Sequence, residues 1–206
     1  AGHSYVPKDE LIQSASELLG LEEDLVEGSL RDLALKGTIH ISTIEEEVLI
    51  YYTPFHIAEN NVSRKLVEIS RVELKDLEMD VEKAIRTIED GIQFGEKQIE
   101  AIKGSMENCM VVITGGPGTG KTTTINAIIK IFEDEGFKVN LAAPTGRAAK
   151  RMTETTGREA KTIHRLLEYS FMEEDMMAFG LNEDSPLDTD LLIIDEASMI
   201  DILLMN

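Results

Sequence analysis

The sequence is poor in the residues that staple or anchor a chain. It has no tryptophan, one cysteine, five prolines and only 5% aromatic residues among 206. A single cysteine, Cys109, excludes an internal disulfide and a cysteine metal cluster. It is expected to pack beside a strand rather than to react. No apolar run approaches the roughly 18 residues that a membrane helix needs. The opening residues, AGHSYVPKDE, lack the basic and apolar regions of a secretion signal, so a cytoplasmic location is expected and no membrane partner. Basic residues are scarce, 20 against 39 acidic, for a net charge of −19. That balance argues against a chain that binds polyanions over its whole surface. There is no low-complexity linker, and no internal repeat beyond two similar opening helices.

What is present centres on Val111 to Thr124, VVITGGPGTGKTTT. Gly115, Gly120, Lys121 and Thr122 meet the spacing G-x-x-x-x-G-K-[ST], and the following residues have helical apolar spacing. Glycines let the backbone curl so that successive N–H groups face an anion. The helix behind them adds its positive end. Gly116, Pro117, Gly118, Thr119, Gly120, Lys121, Thr122 and Thr123 are therefore the candidate phosphate-binding residues. Lys121 would face the β/γ-phosphates, and Thr122 would hold Mg²⁺ through its hydroxyl. The plain alternative is a glycine-rich turn before a helix.

The first ninety residues read as a separate module. Pro7–Gly20 and Glu22–Gly37 each carry a helical leucine stripe that ends in glycine. Thr38–Ser42 and Val48–Tyr52 read as strands around a glutamate-rich turn, which is the order of a small winged-helix unit. Such units often dock DNA through the second helix. Here that helix carries Glu22, Glu23, Asp24, Glu27 and Asp32 against Arg31 and Lys36, so a protein-contact role is expected. Pro54–Val72 reads as a helix that Asn60-Asn61 could interrupt, and Leu77–Asp90 as another. The domain division expected is 1–90 and 91–206.

From Phe94 onward the pattern is α/β. FGEKQIEAI is a short helix, Cys109–Thr114 a buried strand, and Lys138–Ala143 a second, almost wholly apolar strand. The order strand, loop, helix, strand implies a parallel sheet covered on both faces, with ligands at the carboxyl ends of its strands. The second strand runs into APTGRAAKRM. Between Thr145 and Arg165 lie Arg147, Lys150, Arg151, Arg158, Lys161 and Arg165 against Glu154 and Glu159, a basic strip in an acidic chain. KTIHRLL opens a short helix, and Tyr169–Asp188 reads as a surface loop. DLLIIDE then gives a buried strand ending in Asp195 and Glu196. In a nucleotide hydrolase the first supports Mg²⁺ and the second polarises the attacking water.

GGPGTGKTTT, APTGRAAKRM, KTIHRLL and DLLIIDEASM, in this order, resemble the RecD-like group of superfamily 1 DNA helicases, the exodeoxyribonuclease V alpha-subunit family. The likeness is specific for Phe94–Asn206 and looser before it. It implies a partial RecA-like P-loop motor domain after a small helical, winged-helix-like domain. It implies ATP and Mg²⁺ as cofactors, single-stranded DNA as partner, 5′–3′ movement, and a role in DNA recombination and repair. By this resemblance Gln98 would contact adenine, Gly118–Thr123 the phosphates, Asp195 the Mg²⁺ and Glu196 the water. Thr145, Gly146 and Arg147 match one DNA-facing segment, and Thr162 and His164 a second. For His164, packing at the helix start is the equal alternative. The family's later motifs, including its arginine finger, have no counterpart before Asn206. The chain is thus expected to be part of a longer protein, to bind nucleotide, and to hydrolyse it poorly alone. Other readings are a different P-loop ATPase, of the AAA or switch type, and a non-enzymatic protein-binding module.

Overall fold

The computed structural model describes residues 3–72, 74, 81–88, 93–171 and 177–206. By contact the chain divides into two compact units, Ala1–Glu68 with Asp201–Asn206, and Ile69–Ile200.

In the first unit, strand β1 (Tyr5–Pro7) leads into helices α1 (Lys8–Leu19) and α2 (Glu23–Leu35). A hairpin follows, β2 (Ile39–Ile44) and β3 (Glu47–Tyr52), and then helix α3 (Thr53–Ser70). The sheet order is β1-β3-β2, all antiparallel, with Val6 opposite Ile50 and Ile41 opposite Ile50 from the other side. A strand, two helices and a wing that pairs back onto the strand form the winged-helix-like arrangement. β1 has no sequence signal, because three residues are too few to show an alternation. Pro7 precedes α1 with φ −57°, and Gly20 ends it in the left-handed region, its N–H donating to the Ser16 carbonyl. β3 is central, so Leu49, Ile50 and Tyr51 are all buried; Val26 and Leu30 of α2 and Ala58 and Val62 of α3 are buried as well.

The Asn60-Asn61 pair does not interrupt α3. Asn60 donates its side-chain amide to the His56 carbonyl one turn back, at 2.8 Å, so its polar group is satisfied inside the helix. His56 stacks on His40 of β2 at 3.6 Å between ring centroids, with Tyr51 edge-on at 5.2 Å. Burial, and then the neighbouring His40, push His56 below its ordinary value, while Glu59 pulls it up. Since the folded state disfavours the proton, the stability this site contributes is present above the usual histidine range near 6.5 and declines as pH falls through it. We expect the first unit of the wild-type chain to melt at lower temperature at pH 5 than at pH 8. His56→Phe should flatten that difference; an unchanged pH dependence in the variant, followed by circular dichroism, would assign it elsewhere.

The second unit contains a three-stranded parallel sheet, β5-β4-β8, in which β4 (Val139–Ala143) lies between β5 (Ala160–Thr162) and β8 (Leu191–Ile194). Leu141 is opposite Ala160 on one side and Ile193 on the other. The helices are α4 (Val81–Ile88), α5 (Glu96–Glu107), α6 (Lys121–Asp134), α7 (Gly146–Thr156) and α8 (Ile163–Leu166). α6 is apolar over most of its circumference. Ile128, Ile131 and Phe132 join Ile85, Phe94, Ile102 and Met106 in one cluster, while Ile129 joins Leu141 and Met152 in another. The helix that begins at the glycine loop is therefore gripped between the sheet and two flanking layers, which fixes where its first turn points.

Three expectations change. Cys109–Thr114 forms no strand: it has no ladder partner among the described residues, and Val112 is 78% exposed. An apolar run is a strand only when a neighbour accepts its backbone hydrogen bonds. Cys109 is exposed, with its thiol against the Val72 carbonyl at 3.5 Å. The surface loop expected over Tyr169–Asp188 instead holds a small hairpin, β6 (Tyr169–Phe171) and β7 (Met177–Phe179), with Tyr169 opposite Phe179. Its strands are too short for periodicity to reveal. Residues 77–80 and 89–90 of the helix expected over Leu77–Asp90 lie outside the described residues.

Candidate functional site

The glycine loop runs from Gly115 into the first turn of α6. Gly118 and Gly120 take φ of +76° and +79°, the left-handed region that side chains oppose. Two positions are also sterically closed. A Cβ on Gly115 would lie 2.7 Å from the Thr119 hydroxyl, and one on Gly120 would lie 2.4 Å from the Gln98 amide nitrogen. Gly116 and Gly118 face open space. The Thr119 hydroxyl donates to the Gly116 carbonyl at 2.9 Å and holds the curl. Lys121 folds its ammonium back over the loop, donating to the carbonyls of Gly115 and Gly116. Thr122 is exposed at the mouth, Thr123 is half-buried, and Thr124 is buried, donating back to the Gly120 carbonyl. The result is a loop with an open inner side, a helix N-terminus and a cation beside it, which fits a polyphosphate.

Gln98 is built into the same structure. Its carbonyl oxygen accepts from the Gly95 N–H at 2.9 Å, capping α5, and its amide donates to the Gly120 carbonyl at 3.2 Å. α5 and the loop are thereby tied through one side chain, a link that 22 residues of separation conceal in the sequence. Gly120→Ala should impair the loop twice, through its φ and through the collision with Gln98. Adding Gln98→Ala should restore only the second part. We expect the single variant to lose roughly 2 kcal/mol or more in urea unfolding, and the double variant to recover part of it. Simple additivity would show that the two residues do not meet.

Asp195 and Glu196 follow β8 directly. The Asp195 N–H donates to the Ala142 carbonyl of β4, which prolongs the ladder by one step. Its carboxylate accepts from the Glu196 N–H at 3.0 Å. Glu196 is exposed and sits at φ +56°, ψ +38°, left-handed for a residue with a Cβ. Glu45, Glu46 and Glu168 also take positive φ, so this backbone does not single out the site. Among the described residues neither carboxylate bonds to the glycine loop.

The remaining candidates lie past the carboxyl ends of β4 and β5. Thr145 caps α7, its hydroxyl accepting from the Ala148 N–H at 3.2 Å. Gly146 and Arg147 form the exposed first turn of α7. Thr162 caps α8 in the same way, accepting from the Arg165 N–H at 3.2 Å. Ala143 is opposite Thr162 in the sheet, so both caps stand at one edge. His164 is exposed, edge-on to Tyr169 at 5.3 Å and tilted against Phe179 at 6.0 Å. Sequence patterns gave no hint of this aromatic group, because the hairpin that carries it has no signal.

Only part of the basic strip is free. Arg158 is committed to Glu133 of α6, its Nε donating at 2.8 and 3.0 Å. The bonds from Arg158 hold the Glu133 carboxyl below its usual range, and Arg158 is raised in turn, chiefly by bonding Glu133. Lys150 reaches Glu154 at 3.8 Å, a loose surface pair. Arg147, Arg151, Lys161 and Arg165 have no ion pair among the described residues, and the three arginines are exposed.

Comparison with known proteins agrees with this arrangement. The family model described as an AAA domain matches residues 98–206. The ATP-dependent RecD2 DNA helicase of Deinococcus radiodurans is 46% identical over 105 residues, 51% of this chain and 14% of that protein. The RecBCD enzyme subunit RecD of Mycolicibacterium smegmatis is 32% identical over 133 residues, 53% of this chain and 24% of its own. The subunit of the same name from Buchnera aphidicola (Schizaphis graminum) is 40% identical over 120 residues, 48% of this chain and 19% of its own. The chain thus spans about a quarter or less of the length of these relatives. With its glycine loop, parallel sheet and acidic strand end inside the matched region, the chain belongs to the AAA domain family, as a RecD-like member.

Proposed function

We propose that this chain supplies a nucleotide-binding and DNA-contacting part of an ATP-hydrolysing DNA helicase that moves 5′–3′ on single-stranded DNA in recombination and repair. The observation that carries the proposal is the shared carboxyl edge of one parallel sheet. The free arginines beside β4 and β5 and the Asp195-Glu196 pair after β8 lie along it, and the glycine loop heads a helix packed on the same sheet. Bound Mg²⁺ would neutralise phosphate charge. Thr122 by its hydroxyl and Asp195 by its carboxylate would hold it. Gly116–Thr123 bind and orient ATP, with Lys121 leaving the loop carbonyls for phosphate oxygens. Gln98 reads adenine with the amide that now bonds Gly120. Glu196 accepts a proton from the attacking water.

On the DNA side, Thr145, Gly146 and Arg147 offer a hydroxyl, an N–H and a guanidinium to the phosphate backbone. His164 and Tyr169 provide exposed rings for base stacking, with the half-buried Phe179 against them, and Thr162 positions that helix. The relative named as an ATP-dependent RecD2 DNA helicase favours this reading over an AAA-type remodeller or a nucleotide switch. The acidic first unit is read as a protein-contact module.

A salt titration with a fluorescent single-stranded oligonucleotide tests the DNA face. The logarithm of affinity should fall with the logarithm of salt, and removing Arg147 and Arg151 together should lessen the slope by about 0.7 for each cation. An unchanged slope would remove these residues from the interface. Brisk DNA-stimulated ATP hydrolysis by the chain alone would overturn its dependence on further parts.

A further inference from the structure

The first unit leaves one corner of itself uncovered. α1 ends in Leu18 and Leu19, Leu21 lies in the turn, and Leu25 lies in the first turn of α2. These four leucines are 85, 62, 45 and 59% exposed. Core leucines would be buried, and scattered surface leucines would not fall within eight consecutive residues. The corner is also held in shape. The Ser16 carbonyl accepts from the N–H groups of Gly20 and Leu21, the Ser16 hydroxyl donates to the Leu21 carbonyl, and the Leu25 N–H donates to the Glu22 carbonyl. A surface already ordered loses little entropy when something docks on it.

Charge selects what docks. From Asp9 to Leu30 there are seven acidic side chains and no basic one. Glu17, Glu22, Glu23 and Asp24 are exposed beside the leucines. The nearby cations Lys8 and Arg31 are both engaged by Glu27. A nucleic acid would be repelled by this rim. A second copy presenting the same corner would set acid against acid. The complement of leucines ringed by carboxylates is an apolar stripe flanked by lysines or arginines.

We propose that the α1–α2 corner is a docking surface for a basic amphipathic helical segment of a partner protein. The leucines receive its apolar stripe, and the carboxylates of Glu17, Glu22, Glu23 and Asp24 face its cations. This deepens the protein-contact reading of the acidic unit and stands apart from the helicase reading, because no residue of the nucleotide or DNA sites takes part.

The test uses the whole chain and three labelled synthetic peptides followed by fluorescence anisotropy. One has leucines at i, i+3, i+4 and i+7 with lysines on the flanks. The second is its scramble, and the third carries glutamate in place of lysine. The first should bind, the scramble about tenfold or more weaker, and the glutamate peptide not at all. Leu18→Ser with Leu25→Ser should weaken the first peptide about tenfold or more, with the circular dichroism of the chain unchanged. If that pair disturbs folding, Leu18→Ser alone carries the test, since this side chain has the least packing to lose. Glu22→Gln, Glu23→Gln and Asp24→Asn together should weaken binding and flatten its salt dependence. Equal binding of peptide and scramble, or indifference to the folded leucine variants, overturns the proposal. A dimer in sedimentation that dissolves in Leu18→Ser overturns it in favour of self-association. Mg-ATP stabilisation of the chain should be the same in all these variants, so failure here leaves the nucleotide reading standing.

Discussion

Lys121→Ala should abolish the stabilisation of this chain by Mg-ATP. A ligand that binds only the folded state, at a hundredfold excess over its dissociation constant, stabilises by about 2.7 kcal/mol. For a chain of this size that is a rise in melting temperature of roughly 5–10 °C. The wild type should show it and the variant should not. Lys121 is the one side chain of the loop that carries positive charge, and its ammonium already rests on the carbonyls of Gly115 and Gly116. Phosphate oxygens are stronger partners than these carbonyls, since both members of the pair are then charged. Without the ammonium, the loop N–H groups and the α6 dipole must hold the phosphates unaided. Lys121→Arg should recover little, because a planar fork does not replace a compact point charge. Differential scanning calorimetry with and without Mg-ATP measures this directly. Equal shifts in wild type and Lys121→Ala would remove the loop from nucleotide binding altogether.

The second large effect lies in the core. Ile129 is fully buried on α6, packed with Leu141 of β4 and Met152 of α7, and Ile193 of β8 borders the same cluster. Ile129→Ala should cost about 2–5 kcal/mol, and Ile129→Val about 0.5–1.5, since the variants differ in the cavity they leave. The larger loss is a substantial part of a typical domain's whole stability of about 5–15 kcal/mol. Urea unfolding of the second unit reads it out. The consequence reaches function, because Ile129 holds the helix whose first turn is the glycine loop. We expect Ile129→Ala to weaken Mg-ATP binding while leaving the first unit's pH-dependent melting unchanged. Binding unaffected at full occupancy of the folded state would show that the loop is set by its local geometry and by Gln98 alone.

The candidate site was legible where its chemistry is local. A glycine loop, a lysine and a hydroxyl at fixed spacing announce phosphate binding, because all the atoms concerned lie within one turn of chain. The Asp195-Glu196 strand end could be read for the same reason, whereas Thr145 and Thr162 are singled out only by the RecD-like resemblance. The basic strip was legible only in part. Arg158 counts as a cation in the sequence, yet it is neutralised by Glu133, which lies on another helix. Gln98 reads as a ligand contact, but its amide also bonds Gly120, which only the meeting of α5 and the loop could reveal. The left-handed backbone at Glu196 has no composition signal, since glutamate ordinarily avoids it.

By itself, the sequence determined the kind of protein: an α/β order after Phe94, a glycine loop with the spacing of a phosphate loop, and a RecD-like likeness. Helix limits followed as well, since glycines at 20 and 37 stop helices by local conformational preference. Tertiary structure alone decided which apolar runs became strands. Val139–Ala143 has a ladder on both sides, whereas Cys109–Thr114 has none among the described residues. It also decided which cations stayed free and which leucines stayed uncovered. The reason is range. Helix signals, caps and glycine turns are settled within a few residues, while a ladder, an ion pair or a buried face needs a partner far along the chain, and sequence spacing does not say which partner arrives.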